Sequence, residues 1–149
     1  MYSRILIATD GSDLANRGLA HGVALAKAIG ASVTILTASE PWVPIGVDAT
    51  SVAVTEYGLA EEYEKTEAAA GQKILAAAVE VATAAGVAAK ALFVSRKYPA
   101  DAIIESAASE QSDLIVMASH GRRGVQRLLL GSQASEVLTR STVPVLIVR

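Results

Sequence analysis

The chain has 149 residues, 52% of them hydrophobic and 19% charged, which is about the length of one domain and enough to bury a core without staples. Its 13 basic and 15 acidic side chains leave a net charge of −2, so no polyelectrolyte surface for nucleic acid is expected. With no cysteine, disulfides, thiolate chemistry and cysteine-type zinc sites are excluded, and His21 and His120 match no metal-ligand spacing.

Arg4 to Thr9 is a nearly continuous apolar run of strand length, as a strand covered on both faces requires. The turn Asp10-Gly11-Ser12-Asp13 leads into a helix with Ala15, Leu19, Val23 and Ala26 at helical spacing, capped by Ser12 or Asp13 and ended by Gly30. Ala31 to Ala38 is the second strand. From Ser39 to about Val54 the periodicity fails, and Pro41, Trp42, Pro44 and Gly46 mark an irregular loop. A long helix is predicted from about Thr55 to Ala85, with Leu75, Ala78, Val81, Ala82 and Ala85 on one face and Gly86 closing it. Ala89 to Ser95 is strand three, and Pro99 suits the first turn of a helix carrying Ile103, Ile104, Ala107 and Ala108. Strand four is Leu114 to Ala118. Gly131-Ser132 opens a last helix with Ala134, Val137 and Leu138 inward, and strand five runs from Thr142 to Val148.

Strands alternating with helices imply right-handed crossovers and a parallel sheet covered on both faces, in one domain spanning residues 1–149. The run Ile5 to Ala8 is too short for a signal peptide, and Glu80, Gly86 and Lys90 interrupt the longest apolar region, so a cytoplasmic protein is expected.

In an open parallel sheet, ligands bind beyond the carboxyl ends of the strands, where the strand order reverses. With order 3-2-1-4-5 that crevice lies between strands one and four, beside Asp10-Gly11-Ser12 and the segment from Ala118 onward. Glycines in Ala118-Ser119-His120-Gly121-Arg122-Arg123-Gly124 let backbone amides approach an oxyanion. Gly131 and Ser132 stand at a helix start, where free N–H groups and the helix dipole favour phosphate. Together these form a phosphate cradle built mainly from backbone.

At these residues the chain resembles the universal stress protein family. Members that bind ATP carry Gly, two residues, Gly, nine residues, then Gly with Ser or Thr. Gly121, the nine residues Arg122 to Leu130, and Gly131-Ser132 match it, whereas Ala118 stands in the first glycine position. Arg4 to Ser12, Asp113 to Met117 and Ser141 to Val148 are also similar to the family's. The resemblance implies a three-layer, Rossmann-like sandwich of the adenine nucleotide α-hydrolase type, with a five-stranded, mostly parallel sheet. It further implies ATP, ADP or AMP as ligand, with accompanying Mg2+ held by the phosphates and Asp10. The aspartate after strand one, Asp10, would lie near ribose and phosphates, flanked by Ala8 and Thr9. Ala38 would meet the adenine edge. Met117, Ala118, His120, Gly121, Arg122, Arg123, Gly131, Ser132 and Gln133 complete the implied site. At Ala118 the extra methyl crowds the ligand, or strains the backbone if φ is positive.

Each residue also has a plainer reading. Asp10 would shape a turn, Gly131-Ser132 would cap a helix without a capping box, and Arg122 and Arg123 would be a solvated loop tip. His120 has no identifiable carboxylate partner, no nucleophile, base and metal clamp occur together, and hydrolysis is expected to be weak or absent. Receiver, α/β-hydrolase and dinucleotide-binding readings fail for lack of their acidic cluster, nucleophile elbow or glycine fingerprint, and a flavodoxin reading fails because Asp10 and Asp13 would repel a phosphate after strand one. The rival is a dimeric, stress-linked interaction module that binds no nucleotide, which Ala118 favours. Strand five ends the order and would be an exposed pairing edge, so a homodimer through Val143, Val145 and Ile147 is expected.

Overall fold

Apolar runs short enough for strands and flanked by helical patterns assemble into one sheet. The computed structural model describes residues 1–44, 53–121 and 129–149. In chain order the elements are β1 (Arg4–Ala8), α1 (Asp13–Ile29), β2 (Ser32–Ala38), α2 (Ala53–Ala84), β3 (Ala89–Val94), α3 (Pro99–Ser109), β4 (Leu114–Ala118), α4 (Ser132–Arg140) and β5 (Val145–Val148). The strands pair in parallel in the order β3-β2-β1-β4-β5, with Ile5 opposite both Val33 and Leu114. The chain thus winds outward from β1 to β3, then crosses back to β4. The order reverses between β1 and β4, as the sequence implies.

Period-two alternation explains why the strands read as unbroken apolar runs. Ile5, Ile7, Val33, Ile35 and Val116 face α1 and α2, packing on Leu19, Val23, Leu75 and Ala82. Leu6, Leu36, Ile115 and Met117 face α3 and α4, packing on Ile103, Ala107, Ala134 and Val137. Each fully buried Ile or Leu contributes about 1.5–3 kcal/mol through its lost contact with water.

The helix boundaries follow local chemistry. The Ser12 side chain caps α1 by accepting the Ala15 N–H at 3.3 Å, and Gly30 ends it in the left-handed region at φ 71°. Pro99 opens α3 at a position whose N–H would lack a helical partner anyway.

Four expectations need correction. β5 starts at Val145 rather than Thr142, because Pro144 has no N–H to give and the Ser141 hydroxyl ties off the preceding turn. That hydroxyl donates to the Val143 carbonyl at 2.7 Å and accepts the Val143 N–H at 3.1 Å. Val143 therefore lies outside the strand, and Val145 and Ile147 pack inward against the α3/α4 layer. Val81 and Leu138 are exposed at 44% and 43%, since the closest approach of each helix follows Ala78–Ala82 and Ala134–Val137 instead. In the predicted loop, Ser39 to Pro44 are irregular, whereas residues 45–52 lie outside the described residues. Trp42 is half-buried and is not among the residues lining the cleft described below. Among the described residues, no helix is long and apolar enough to cross a membrane.

The 32 residues of α2 matter most for function. At 1.5 Å per residue such a helix is about 48 Å long, against about 23 Å for the longest strand here. Because α2 runs antiparallel to the strands, its first half overhangs their carboxyl ends and walls the space above them.

Candidate functional site

Three elements converge at the carboxyl end of the sheet. After β1, the Thr9 N–H still donates to the Leu36 carbonyl at 2.9 Å, so the ladder runs one residue past the strand. Thr9 Oγ1 then accepts the Gly11 N–H at 3.2 Å, and Asp10 Oδ1 accepts the Ser12 N–H at 2.9 Å. These side-chain bonds build the turn into α1. Gly11 takes φ 76°, and a Cβ there would stand 3.0 Å from Ile74 Cγ1, so α2 closes directly onto the turn.

After β4, Ala118 pairs in register with Val148 and is buried. Its φ is not positive: the described non-glycine residues with positive φ are Arg96 and Gln111. Backbone strain at Ala118 is therefore ruled out, because the residue simply ends a regular strand. Ser119 follows, donating its N–H to the Val148 carbonyl at 2.9 Å, and its hydroxyl lies 2.9 Å from His120 Nδ1.

The chain returns to this point at Gly131, whose N–H donates to the Ser119 carbonyl at 2.8 Å. A Cβ on Gly131 would meet that same carbonyl oxygen at 3.0 Å and His120 Cα at 3.4 Å. Glycine is needed here for close approach, since its φ of −62° suits any residue. Gly131 is the N-cap of α4, which has no side-chain cap and no acid in its first turn. The positive end of the α4 dipole thus opens beside Gly121, unneutralised by a carboxylate of its own helix. Asp10 stands across from it: a Cβ on Gly121 would be 2.8 Å from Asp10 Oδ2.

These ends enclose a cleft of about 830 Å³ at the predicted switch point. Ala8, Thr9 and Asp10 line it from β1, and Ala38 from the end of β2. Met117, Ala118, His120 and Gly121 line it from β4, and Gly131, Ser132 and Gln133 from the start of α4. Arg122 and Arg123 lie outside the described residues. Gln133 has a structural contact as well, its Oε1 accepting the Ala100 N–H at 2.8 Å and so tying the first turn of α3 to that of α4. No group of three or more His, Asp or Glu side chains suited to a metal ion occurs among the described residues. A separate hollow of about 570 Å³ between α1 and β5, beside Arg17 and Arg149, gathers none of the predicted ligand-site residues.

Sequence reasoning missed the opposite wall. Tyr63, Glu67, Ala70, Gly71 and Ile74 of α2 line the cleft, together with Phe93 of β3. Their spacing of four, three, one and three is a helical face, visible in principle. Nothing local says that this face overlooks a ligand cleft rather than solvent, because that depends on how far α2 overhangs the sheet.

An open, doubly wound parallel α/β protein with a cleft at its topological switch point is what this fold and site define. The sequence model of the universal stress protein family matches residues 1–149, and the chain belongs to that family. Over 149 residues it is 37% identical to the "universal stress protein in QAH/OAS sulfhydrylase 3'region" of Thermus aquaticus, with 100% of both chains covered. It is 34% identical to universal stress protein YxiE of Bacillus subtilis, again with 100% of both chains covered. Among solved structures, a universal stress protein in complex with cAMP shares 28% identity over 99% of this chain and 97% of its own, at a TM-score of 0.71. MJ0577 of Methanocaldococcus jannaschii superposes at a TM-score of 0.79, with 28% identity over 99% of this chain and 96% of its own.

Proposed function

We propose that this chain binds an adenine nucleotide, ATP with Mg2+, in the cleft above β1 and β4, and acts as a cytoplasmic, nucleotide-dependent stress regulator with weak or no hydrolysis. The observation that carries this reading is the uncapped start of α4 opening at Gly131 beside Gly121 and Asp10 in a cleft of about 830 Å³. A helix N-terminus without an acid of its own favours phosphate, and the cavity falls within the roughly 300–1,000 Å³ of small-molecule sites. The relative solved with cAMP supports the same ligand class. Triphosphate charge needs compensation next to Asp10. Asp10 and the phosphates would hold an accompanying Mg2+, which would supply the compensating positive charge; the described residues contain no larger acid cluster. Ser132 adds a hydroxyl donor and His120 a ring nitrogen. We further propose a homodimer through the open edge of β5, with a monomer in light scattering at micromolar concentration as the contrary result.

A second reading has its own observation. Asp10, Glu40 and Glu67 all line the cleft, an acidic lining that disfavours a bare anion and suits an interaction module without nucleotide.

Thermal unfolding with and without millimolar Mg-ATP, with GTP as control, decides between them. Ligand at a hundred times its dissociation constant stabilises the fold by about 2.7 kcal/mol, a rise of about 5–10 °C for this size. A rise with ATP and none with GTP supports the adenine site. No rise with protein verified free of nucleotide refutes it and favours the module.

A further inference from the structure

The wall that α2 raises over the cleft carries one charged side chain with no assigned task, Glu67. It sits one helical turn after Tyr63, one before Gly71 and two before Ile74, on the face of α2 that lines the cleft. It is half-buried, and no hydrogen bond or ion pair of its side chain occurs among the described residues. Two other glutamates of the helix are paired, Glu61 with Lys65 and Glu64 with Arg96. The surroundings toward the sheet are apolar. Phe93 lies under Gly71, closely enough that a Cβ on Gly71 would meet its ring at 2.4 Å, and Ile74 lies against Gly11. This sets the Glu67 carboxylate beside the apolar side chains of Phe93 and Ile74 on the β3 side of the cleft, whereas α4 starts on the β4 side.

Three backbone groups just past the end of β2 are already engaged within the protein. The Ser39 N–H donates to the Val94 carbonyl at 2.9 Å, and the Ser39 carbonyl accepts the Lys97 N–H at 3.0 Å. The Glu40 carbonyl accepts the Tyr63 hydroxyl at 3.4 Å, which also turns that hydroxyl toward the protein. A carboxylate is acceptor-only when ionised, so an unengaged one beside apolar side chains selects for a ring bearing N–H.

We infer that Glu67 is a specificity-determining residue that accepts a hydrogen bond from the exocyclic amine of the bound base. This rests on the proposed nucleotide reading and extends it from the phosphate end to the base end. The cleft then has a polarity: helix-start donors for phosphate at α4, and a carboxylate acceptor for the base amine at α2. Reversed binding would place phosphate against Glu67 and is disfavoured by like charge.

The test is calorimetric binding of Mg-ATP and of Mg-purine riboside triphosphate, which lacks the 6-amino group, to wild type and Glu67→Met. Methionine preserves length and helix propensity while removing the acceptor. Wild type should prefer ATP by roughly tenfold, as for a hydrogen bond to a charged group that keeps some solvent contact. Glu67→Met should bind the two ligands within about twofold of each other, because its uncharged thioether makes no such distinction. Wild type that binds both equally, or a variant that keeps the wild-type preference, overturns the assignment while leaving nucleotide binding intact. Wild type that binds neither overturns the assignment together with the reading beneath it. Circular dichroism of the variant separates lost selectivity from lost fold.

Discussion

Replacing Gly71 by alanine sets two effects of known size against each other. Gly71 lies inside α2, where alanine is better than glycine by about 0.8–1.0 kcal/mol. Its Cβ, however, would lie 2.4 Å from Phe93 Cε2 and 2.6 Å from Cδ2. Carbon atoms are comfortable at about 3.5–4.0 Å, so the ring must move by more than an ångström or the helix must lift. Overpacking of this kind costs about 1–3 kcal/mol. The steric term wins, and Gly71→Ala should lose about 1 kcal/mol net, lowering Tm by about 3 °C in a protein of this size. Gly58, in the same helix with nothing within 4 Å of its would-be Cβ, is the internal control. Gly58→Ala should gain a few tenths to about 1 kcal/mol. Urea unfolding at constant slope measures both. Trimming the ring with Phe93→Leu should relieve the clash, giving a coupling of about 1 kcal/mol in a double-mutant cycle. If Gly71→Ala proved as stable as wild type and additive with Phe93→Leu, the packing of α2 against β3 would be wrong, and with it the far wall of the cleft.

Two further outcomes are expected. Gly131→Ala should disturb both the 2.8 Å bond to the Ser119 carbonyl and the 3.0 Å approach to that oxygen. The loss should be about 1–2 kcal/mol by thermal melting, together with a smaller Mg-ATP stabilisation; an unchanged melt and an unchanged ligand shift would refute the account. Asp113 gives the pH dependence. Burial raises its pKa and is the largest single influence, but the hydrogen bonds from the Ser3 N–H, the Arg4 N–H and the Ser3 hydroxyl together outweigh it and hold the carboxyl below its usual range. A depressed carboxylate stabilises the fold above its unfolded pKa, and that stability is lost as pH falls through the folded value. Asp113→Asn should therefore cost about 1 kcal/mol at pH 7 and at pH 5, with the gap to wild type closing below about pH 4. A gap independent of pH down to pH 2 would show that the charge plays no part.

The parallel sheet was readable because covering on both faces leaves strands as continuous apolar runs, and β1 and β4 were accordingly placed to within a residue. Caps were readable because they are local: Ser12 meets an N–H three residues on, and Gly30 and Gly86 adopt φ 71° and 78° where the helices stop. The grouping of Asp10, Gly121 and Gly131 was readable because glycines near a strand end and a helix start form a local pattern, and all three line one cleft. β5 was misjudged at its start, since Thr142 and Val143 have strand-like side chains while Pro144 and the Ser141 hydroxyl decide the hydrogen bonding.

Only the tertiary structure decided the rest, because the deciding contacts join residues remote in sequence. The Gly71–Phe93 notch, the Gln133–Ala100 link between two helix starts and the Asp113 bonds to Ser3 across 110 positions have no local signature. The overhang of α2 likewise depends on where its packing against the sheet ends. Hydrophobic periodicity encodes which side of an element is apolar. It does not encode what an overhanging face looks upon, and so the α2 wall with Glu67 emerged from the packed fold alone.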